Sequence, residues 1–335
     1  MNFVSTKVLL MVGLLGLFSC GESNEELIEY ADEEVEFPED PVIDDTPKVL
    51  LPASDQQNSG NWVLNEELSD EFEGQVLDET KWLVQGRNGE FKSRFVGRAP
   101  SQFSTDNVKV ENGKLMLETR WDPDYNFIPK IVNGLNYDEV NGEKIYFENI
   151  TTAAVIAKKS FTYGYLEIKS KAADAEVTSS FWATGGGTEF DFFEMFGDHK
   201  QTNKERAGKE RELWWSIHDW TNFGNGRTTY TEHHDLGFRV ADDFHIYGYE
   251  WNENEVKIYI DGQLFRNVSR EVINAYDDTN LGGGNGDREN FVVTQPIYVW
   301  FDQETFPWHG VPDSKSELGT NGSVFFEIEY YRLWQ

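Results

Sequence analysis

The nine residues Thr188-Glu189-Phe190-Asp191-Phe192-Phe193-Glu194-Met195-Phe196 place three carboxylates within six positions, among large apolar side chains that ordinarily exclude charge. Carboxyl groups crowded into a partly buried site raise one another's pKa, so that one stays protonated while another ionises. Cleavage of a glycosidic bond requires just such a pair of acid and base. The run reads as an active-site strand. On a regular strand side chains alternate faces, which groups Glu189, Asp191 and Phe193 and turns Glu194 away. A β-bulge at Phe192 and Phe193 adds one residue and returns Glu194 to the face of the other two acids; such bulges are frequent beside active sites. A solvated acidic edge strand is a poor fit, because Phe190, Phe192, Phe193, Met195 and Phe196 would form an association-prone patch. A calcium loop fits no better, since the run lacks Asp/Asn/Gly-rich neighbours.

Around this strand, short β-branched and aromatic runs recur between turn signals. Val108-Lys109-Val110 and Leu115 to Thr119 flank Asn112-Gly113, and Val256 to Ile260 precedes Asp261-Gly262. Period-two alternation interrupted by Asn-Gly and Asp-Gly predicts antiparallel hairpins. Helical periodicity is absent, and 29 glycines with 15% aromatic residues favour sheets and turns. The expected fold is all-β: a β-jelly-roll sandwich of two antiparallel sheets, one curving into a concave substrate cleft. Segments 122–148 and 277–290 have no readable motif and are expected to be cleft loops that determine specificity.

The N-terminus predicts a different environment. Lys7 precedes an apolar run from Val8 to Phe18, too short for a permanent membrane helix but suited to a signal peptide. It ends at Leu17-Phe18-Ser19-Cys20, a lipobox-like sequence whose cysteine is the only one in the chain. With no intramolecular disulfide available, Cys20 is expected to be lipidated after cleavage. Residues 1–19 are therefore read as a lipoprotein signal peptide, 20–59 as an acidic disordered tether and 60–335 as the folded domain. The tether carries thirteen acids between Glu22 and Asp55 against Lys48 alone, part of a formal net charge of −31. Such a segment cannot bury enough apolar surface to fold by itself. The domain is acidic as well, which argues against nucleic acid and against anionic membrane surfaces as partners. The reading is an exported outer-membrane or cell-surface lipoprotein, or a secreted one, touching membrane only through the lipid and acting as a monomer.

The residues resemble glycoside hydrolase family 16, whose signature Glu-x-Asp-x-(x)-Glu appears here in its longer form as Glu189-Phe190-Asp191-Phe192-Phe193-Glu194. Flanking segments agree. Trp62 to Leu64 with Asp70 to Gly74 and Leu77 to Trp82 resembles the family's opening; Tyr163 to Lys169 before Phe181-Trp182 resembles the strand pair ahead of the signature. Phe244 to Gly262 resembles a later hairpin, and Glu327 to Leu333 the closing strand. Within the family, Gly97-Arg98-Ala99-Pro100-Ser101-Gln102-Phe103 and Phe301-Asp302-Gln303-Glu304-Thr305-Phe306 with Trp308 look most like the β-agarases and β-porphyranases. Laminarinases share the signature and fit these two segments less well.

What the resemblance implies is endo-cleavage of β-1,4 linkages in agar-type galactans, with retention through a covalent glycosyl-enzyme and carboxyl groups about 5–5.5 Å apart. Carried onto this sequence, Glu189 is the nucleophile, Asp191 assists it and Glu194 is the acid/base. Sugar faces stack on aromatic rings while hydroxyls take hydrogen bonds, so Trp182, Trp215, His218, Trp220, Arg98, Glu304 and Trp308 are the candidate substrate contacts. Trp214 belongs to the same cluster, while Trp62, Trp82, Trp251, Trp300 and Trp334 are assigned to packing. Adjacent strand residues point to opposite faces, so His233-His234 is not a metal pair. No catalytic cofactor is expected. The resemblance implies a structural calcium near the opening and closing strands, with Glu71, Gly113 and Glu329 as donors. A laminarinase-type or κ-carrageenase-type enzyme and a surface lectin are the alternatives, and sequence does not decide between water and a sugar as acceptor.

Overall fold

In the computed structural model, residues 49–197, 208–220, 228–275 and 294–335 are described. Their first strands are β1 (Trp82–Val84), β2 (Ser101–Phe103), β3 (Val108–Glu111), β4 (Lys114–Trp121), β5 (Tyr137–Val140) and β6 (Glu143–Tyr146). Next come β7 (Ile150–Thr152), β8 (Ala154–Ala157), β9 (Gly164–Lys171), β10 (Thr178–Gly185), β11 (Thr188–Phe196) and β12 (Glu212–Asp219). The last are β13 (Thr228–Asp235), β14 (His245–Trp251), β15 (Glu255–Ile260), β16 (Gln263–Ser269), β17 (Tyr298–Asp302) and β18 (Ser323–Trp334). A single short α-helix, α1 (Arg270–Ala275), appears among the described residues, beside a few one-turn 3-10 segments.

A seven-stranded sheet in the order β1-β8-β17-β10-β11-β12-β13 faces a nine-stranded one in the order β16-β15-β14-β9-β18-β4-β7-β2, with β3 paired to β4. The sandwich expectation holds. One pair departs from it: β2 and β7 run parallel, joining Ser101 to Ile150 and Phe103 to Thr152. The chain changes sheets at Ala153, between β7 and β8. The expected hairpins form where their dipeptides predict. Asn112-Gly113 closes β3–β4 and Asp261-Gly262 closes β15–β16, all four residues at positive φ as a type I′ turn needs. Asn141-Gly142 does the same between β5 and β6, giving a hairpin inside segment 122–148. Segment 277–290 and residues 1–48, Cys20 included, lie outside the described residues.

The domain starts earlier than position 60. Residues 49–62 lie against the outer face of the nine-stranded sheet: Trp334 Nε1 donates to Leu50 O at 2.9 Å, Ala53 N to Glu167 Oε2 at 2.7 Å and Ser54 Oγ to the Tyr165 hydroxyl at 2.8 Å. Trp62 packs edge-on against Tyr165. Composition alone groups this stretch with the tether, because its hold on the fold comes from partners more than a hundred residues away.

Between the sheets, inward side chains of both form one core that includes Leu115, Leu117, Leu166, Ile168, Phe190, Phe192, Phe193, Met195, Trp215, Tyr249, Phe301 and Tyr331. Phe181 sits at its centre, fully buried, stacked on Phe192 at 4.5 Å and meeting Phe193, Tyr249, Phe301 and Tyr331 within 6.1 Å. Phe181→Ala removes that hub, and the expected loss is about 3–5 kcal/mol of unfolding free energy in guanidinium titrations.

Candidate active site

Strand β11 carries the bulge. Against β10, Phe181 opposes Phe193 and Trp182 opposes Asp191, leaving Phe192 extra. Against β12, Asp191 opposes Ser216 and Glu194 opposes Trp214, so the two residues Phe192 and Phe193 span the single residue Trp215. Both phenylalanines turn into the core, and Glu189, Asp191 and Glu194 all line one cleft. The acids fall in three rows across the sheet. The first runs Thr184, Glu189, His218, Thr229; the second Trp300, Trp182, Asp191, Ser216, Thr231; the third Asp302, Ser180, Glu194, Trp214, His233.

Each row supplies partners. His218 sits between two acids, its Nε2 hydrogen-bonded to Asp191 Oδ2 at 2.9 Å and 3.9 Å from Glu189 Oε1, while its Nδ1 pairs with Thr229 Oγ1 at 2.8 Å. Trp220 stacks on the His218 ring at 5.3 Å. Trp182 donates from Nε1 to Asp302 Oδ2 at 2.9 Å and stacks on Trp300 at 4.6 Å. Arg98 donates to Glu304 Oε2 at 2.7 Å and covers the rings of Phe306 and Trp308 at 4.8 and 5.0 Å. The cleft encloses about 770 Å³. This arrangement couples grouped acids to flat aromatic surfaces, the two requirements for holding and cutting a sugar chain.

The sequence matches a family model described as "Beta-porphyranase A-D, GH16 domain" over residues 62–335. The chain belongs to glycoside hydrolase family 16. Beta-porphyranase B of Zobellia galactanivorans is 26% identical over 299 residues, spanning 84% of this chain and 87% of its own length. The crystal structure of porphyranase B from that organism aligns with a TM-score of 0.61 at 23% identity, covering 82% of this chain and 92% of that one. β-Agarase B, also from Z. galactanivorans, aligns with a TM-score of 0.62 at 18% identity over 82% and 93%. The two structures bear out the jelly-roll fold, and the sequence matches place this glycoside hydrolase in the agarase and porphyranase branch.

Of the residues anticipated for a family 16 cleft, Glu189, Asp191, Glu194, Trp182, His218, Trp220, Arg98, Glu304 and Trp308 all line it. Trp215 does not. It is fully buried against Phe190 and Tyr230, with Nε1 donating to Glu232, because it lies an odd step from Trp214, Ser216 and His218. Trp214 is the cleft residue. Trp300, assigned to packing, is buried yet lies beneath the cleft floor as Trp182's stacking partner. Asp302, His233, Phe306 and His309 also line the cleft and were not anticipated. Parity from Glu304 is the available signal for Asp302, whereas His233 joins the cleft through its register opposite Trp214. His233 and His234 do point apart: His233 stacks flat on Trp214 at 4.1 Å, and His234 binds Glu232 at 2.8 Å.

Two of the three donors suggested for calcium, Glu71 and Glu329, are engaged otherwise, and Gly113 would remain with its carbonyl alone. Arg332 grips Glu71 through two 2.7 Å bonds and Lys169 pairs with Glu329 at 2.6 Å, so both carboxylates already face a cation. That arrangement does not fit a calcium ion there. Glu189, Asp191 and His218 bring ligating atoms within 4.8 Å of one another, a closeness accounted for by the His218–Asp191 hydrogen bond.

Burial and the Asp191 charge push both Glu189 and Glu194 up to about 8. His218 opposes both shifts; a hydrogen bond from Trp220 adds to this at Glu189, and the Arg98 charge at Glu194. Glu189 keeps 24% exposure, so its enclosure comes from the cleft walls and not from the core. Burial also raises Asp302, with Glu304 adding to the rise, and raises Glu304 against the pull of Arg98. Raised carboxyls hold protons in the folded state that the unfolded chain has released. Their contribution to stability is whole below about pH 4.5 and is lost as pH climbs through about 8. Acids held low, such as Glu232 at about 2, act only at lower pH. The melting temperature should therefore fall between pH 5 and pH 8, and Glu194→Gln should flatten that fall in calorimetric scans.

Proposed function

We propose that this enzyme is an endo-acting hydrolase that cuts β-1,4-galactosidic linkages of agar-type red-algal galactans, agarose or porphyran, with retention of configuration. The observation that carries the proposal is the bulged strand, which gives three acids one cleft face and each a different environment. Glu189 attacks the anomeric carbon as the carboxylate, the form that His218 and the Trp220 hydrogen bond favour against its raised pKa. Glu194 protonates the departing glycosidic oxygen, then takes a proton from the incoming water as that water displaces Glu189. Asp191, tied to His218, holds the proton balance between them. Aromatic surfaces on both sides of the acids, Trp182 over Trp300 toward β17 and Trp214 with Trp220 toward β13, support binding on either side of the cut bond and hence endo action. The galactan assignment leans on the segments around Arg98 and Glu304 and on the branch to which the relatives belong. The acidic tether and Cys20 support export as a lipid-anchored or secreted monomer.

Digestion of agarose, porphyran, κ-carrageenan and laminarin with reducing-sugar detection tests the assignment. Cleavage confined to agarose or porphyran is expected; preferential release from laminarin or carrageenan would replace the substrate, and binding without cleavage of any would make the chain a lectin. On the preferred galactan, Glu189→Gln and Glu194→Gln should each lower turnover by about 10²–10⁴-fold or more, with Asp191→Asn reduced less. Near-native turnover by Glu189→Gln would remove it as nucleophile.

A further inference from the structure

A lysine buried beneath the cleft wall has no place in the chemistry above. Lys209 is 1% exposed, and lysine is almost never fully buried without a specific partner. It begins the short turn that leads into β12, and so stands at the base of the strand that presents Trp214, Ser216 and His218 to the cleft. Its ammonium group donates to the His309 carbonyl at 3.0 Å, lies 3.5 Å from Glu176 Oε1 and sits 5.4 Å from the centre of the Phe196 ring. Those contacts belong to three separate parts of the fold: the loop after β17, the connection entering β10 and the end of β11.

The loop after β17 forms the cleft wall. Phe306 and Gly310 bridge to close it, and the His309 ring packs against Phe196, Trp214 and Phe306 at 4.8, 4.7 and 5.9 Å. Trp308, at the tip, is 40% exposed, whereas both of its neighbours on that cluster are buried. A tryptophan presented on a short loop can stack on a sugar only if the loop is held at a fixed height. Lys209 supplies a charged hydrogen bond to the main chain one residue from Trp308, in a buried site, where such a bond is stronger than in water. We propose that Lys209 is a positioning residue. It locks the wall loop to the start of β12 and so holds Trp308 at a fixed height over the cleft as a sugar-binding surface. It touches neither substrate nor the reacting atoms.

Removing Lys209 alone leaves Glu176 buried beside it, a change that by itself destabilises. The test therefore uses Lys209→Met together with Glu176→Gln, and Lys209→Arg as the conservative control. The neutral pair should fold with a cooperative melt, raise KM several-fold and leave kcat within about twofold, and Lys209→Arg should recover part of the KM. Adding Trp308→Ala to the neutral pair should raise KM no further than Trp308→Ala does alone, because both changes remove the same surface. Multiplying KM effects, or a fall in kcat at unchanged KM, would overturn the proposal. The mechanism rests on the galactan-hydrolase reading only for its kinetics. Acrylamide quenching of tryptophan emission, compared with the Trp308→Phe version of each protein, reads the loop without substrate. The Trp308 contribution should become more quenchable in the neutral pair; an unchanged contribution would reject the positioning role whether or not any galactan is cut.

Discussion

One additional residue in β11 holds the site together. Without the bulge, strict alternation along β11 would place Glu194 with Phe190 and Phe192 in the core, where an ionisable group lacking partners costs several kcal/mol. With it, Phe192 and Phe193 both turn inward across from Trp215, and Glu189, Asp191 and Glu194 share the opposite face. The bulge is stable because the core has room for two successive aromatic rings: Phe192 stacks on Phe181, and Phe193 meets Tyr247 and Phe326. Core packing and catalytic geometry therefore depend on the same two side chains.

The rows across the sheet explain how such a density of acid is tolerated. Five carboxyls, those of Glu189, Asp191, Glu194, Asp302 and Glu304, line one cleft. Full ionisation of all five in an enclosed space would be strongly repulsive, and burial with mutual repulsion raises the pKa of four of them. Neighbours then differentiate the groups. His218 serves the first two rows, the Trp182 indole serves Asp302 and Arg98 serves Glu304. A carboxyl that keeps its proton is a hydrogen-bond donor, and a set of mixed donors and acceptors suits the hydroxyls of a sugar better than a uniform wall of charge.

Much of this is legible in the sequence alone. The bulge followed from parity, the sandwich from turn dipeptides and alternation, and the three acids from their spacing, since each is a local rule acting over a few residues. Failures came where distant partners decide. Trp215 and Trp214 differ only in parity once β12 is fixed as the partner of β11, and choosing between them needs the register that Glu194 and Trp214 share. Trp300 reads as core because it is buried, yet its burial is against Trp182, itself a cleft residue. Residues 49–60 look like more tether because their anchors, Glu167, Tyr165 and Trp334, lie far along the chain. The Asn141-Gly142 hairpin, like the parity of Asp302 with Glu304, was missed although its signal is local.

The same cleft constrains how a sugar chain is held. Among the described lining residues Arg98 is the one Lys or Arg, and Glu304 already accepts from it. Net electrostatic attraction for a polyanion is therefore weak along this surface, in a chain that carries −31 overall. Apolar contact has more to offer: Trp182, Trp214, Trp220 and Trp308 spread aromatic surface over both sides of the acids, and each ring is backed by another, Trp300, His233, His218 and Phe306 in turn. Rings supported in this way lose little freedom when a sugar settles on them, which keeps more of the stacking energy for binding. A substrate held chiefly by its C–H faces can then slide or be released between cuts, whereas one held by ion pairs would leave slowly. Stacking surfaces beside a cluster of acids thus suit repeated cleavage within a long, flat polysaccharide.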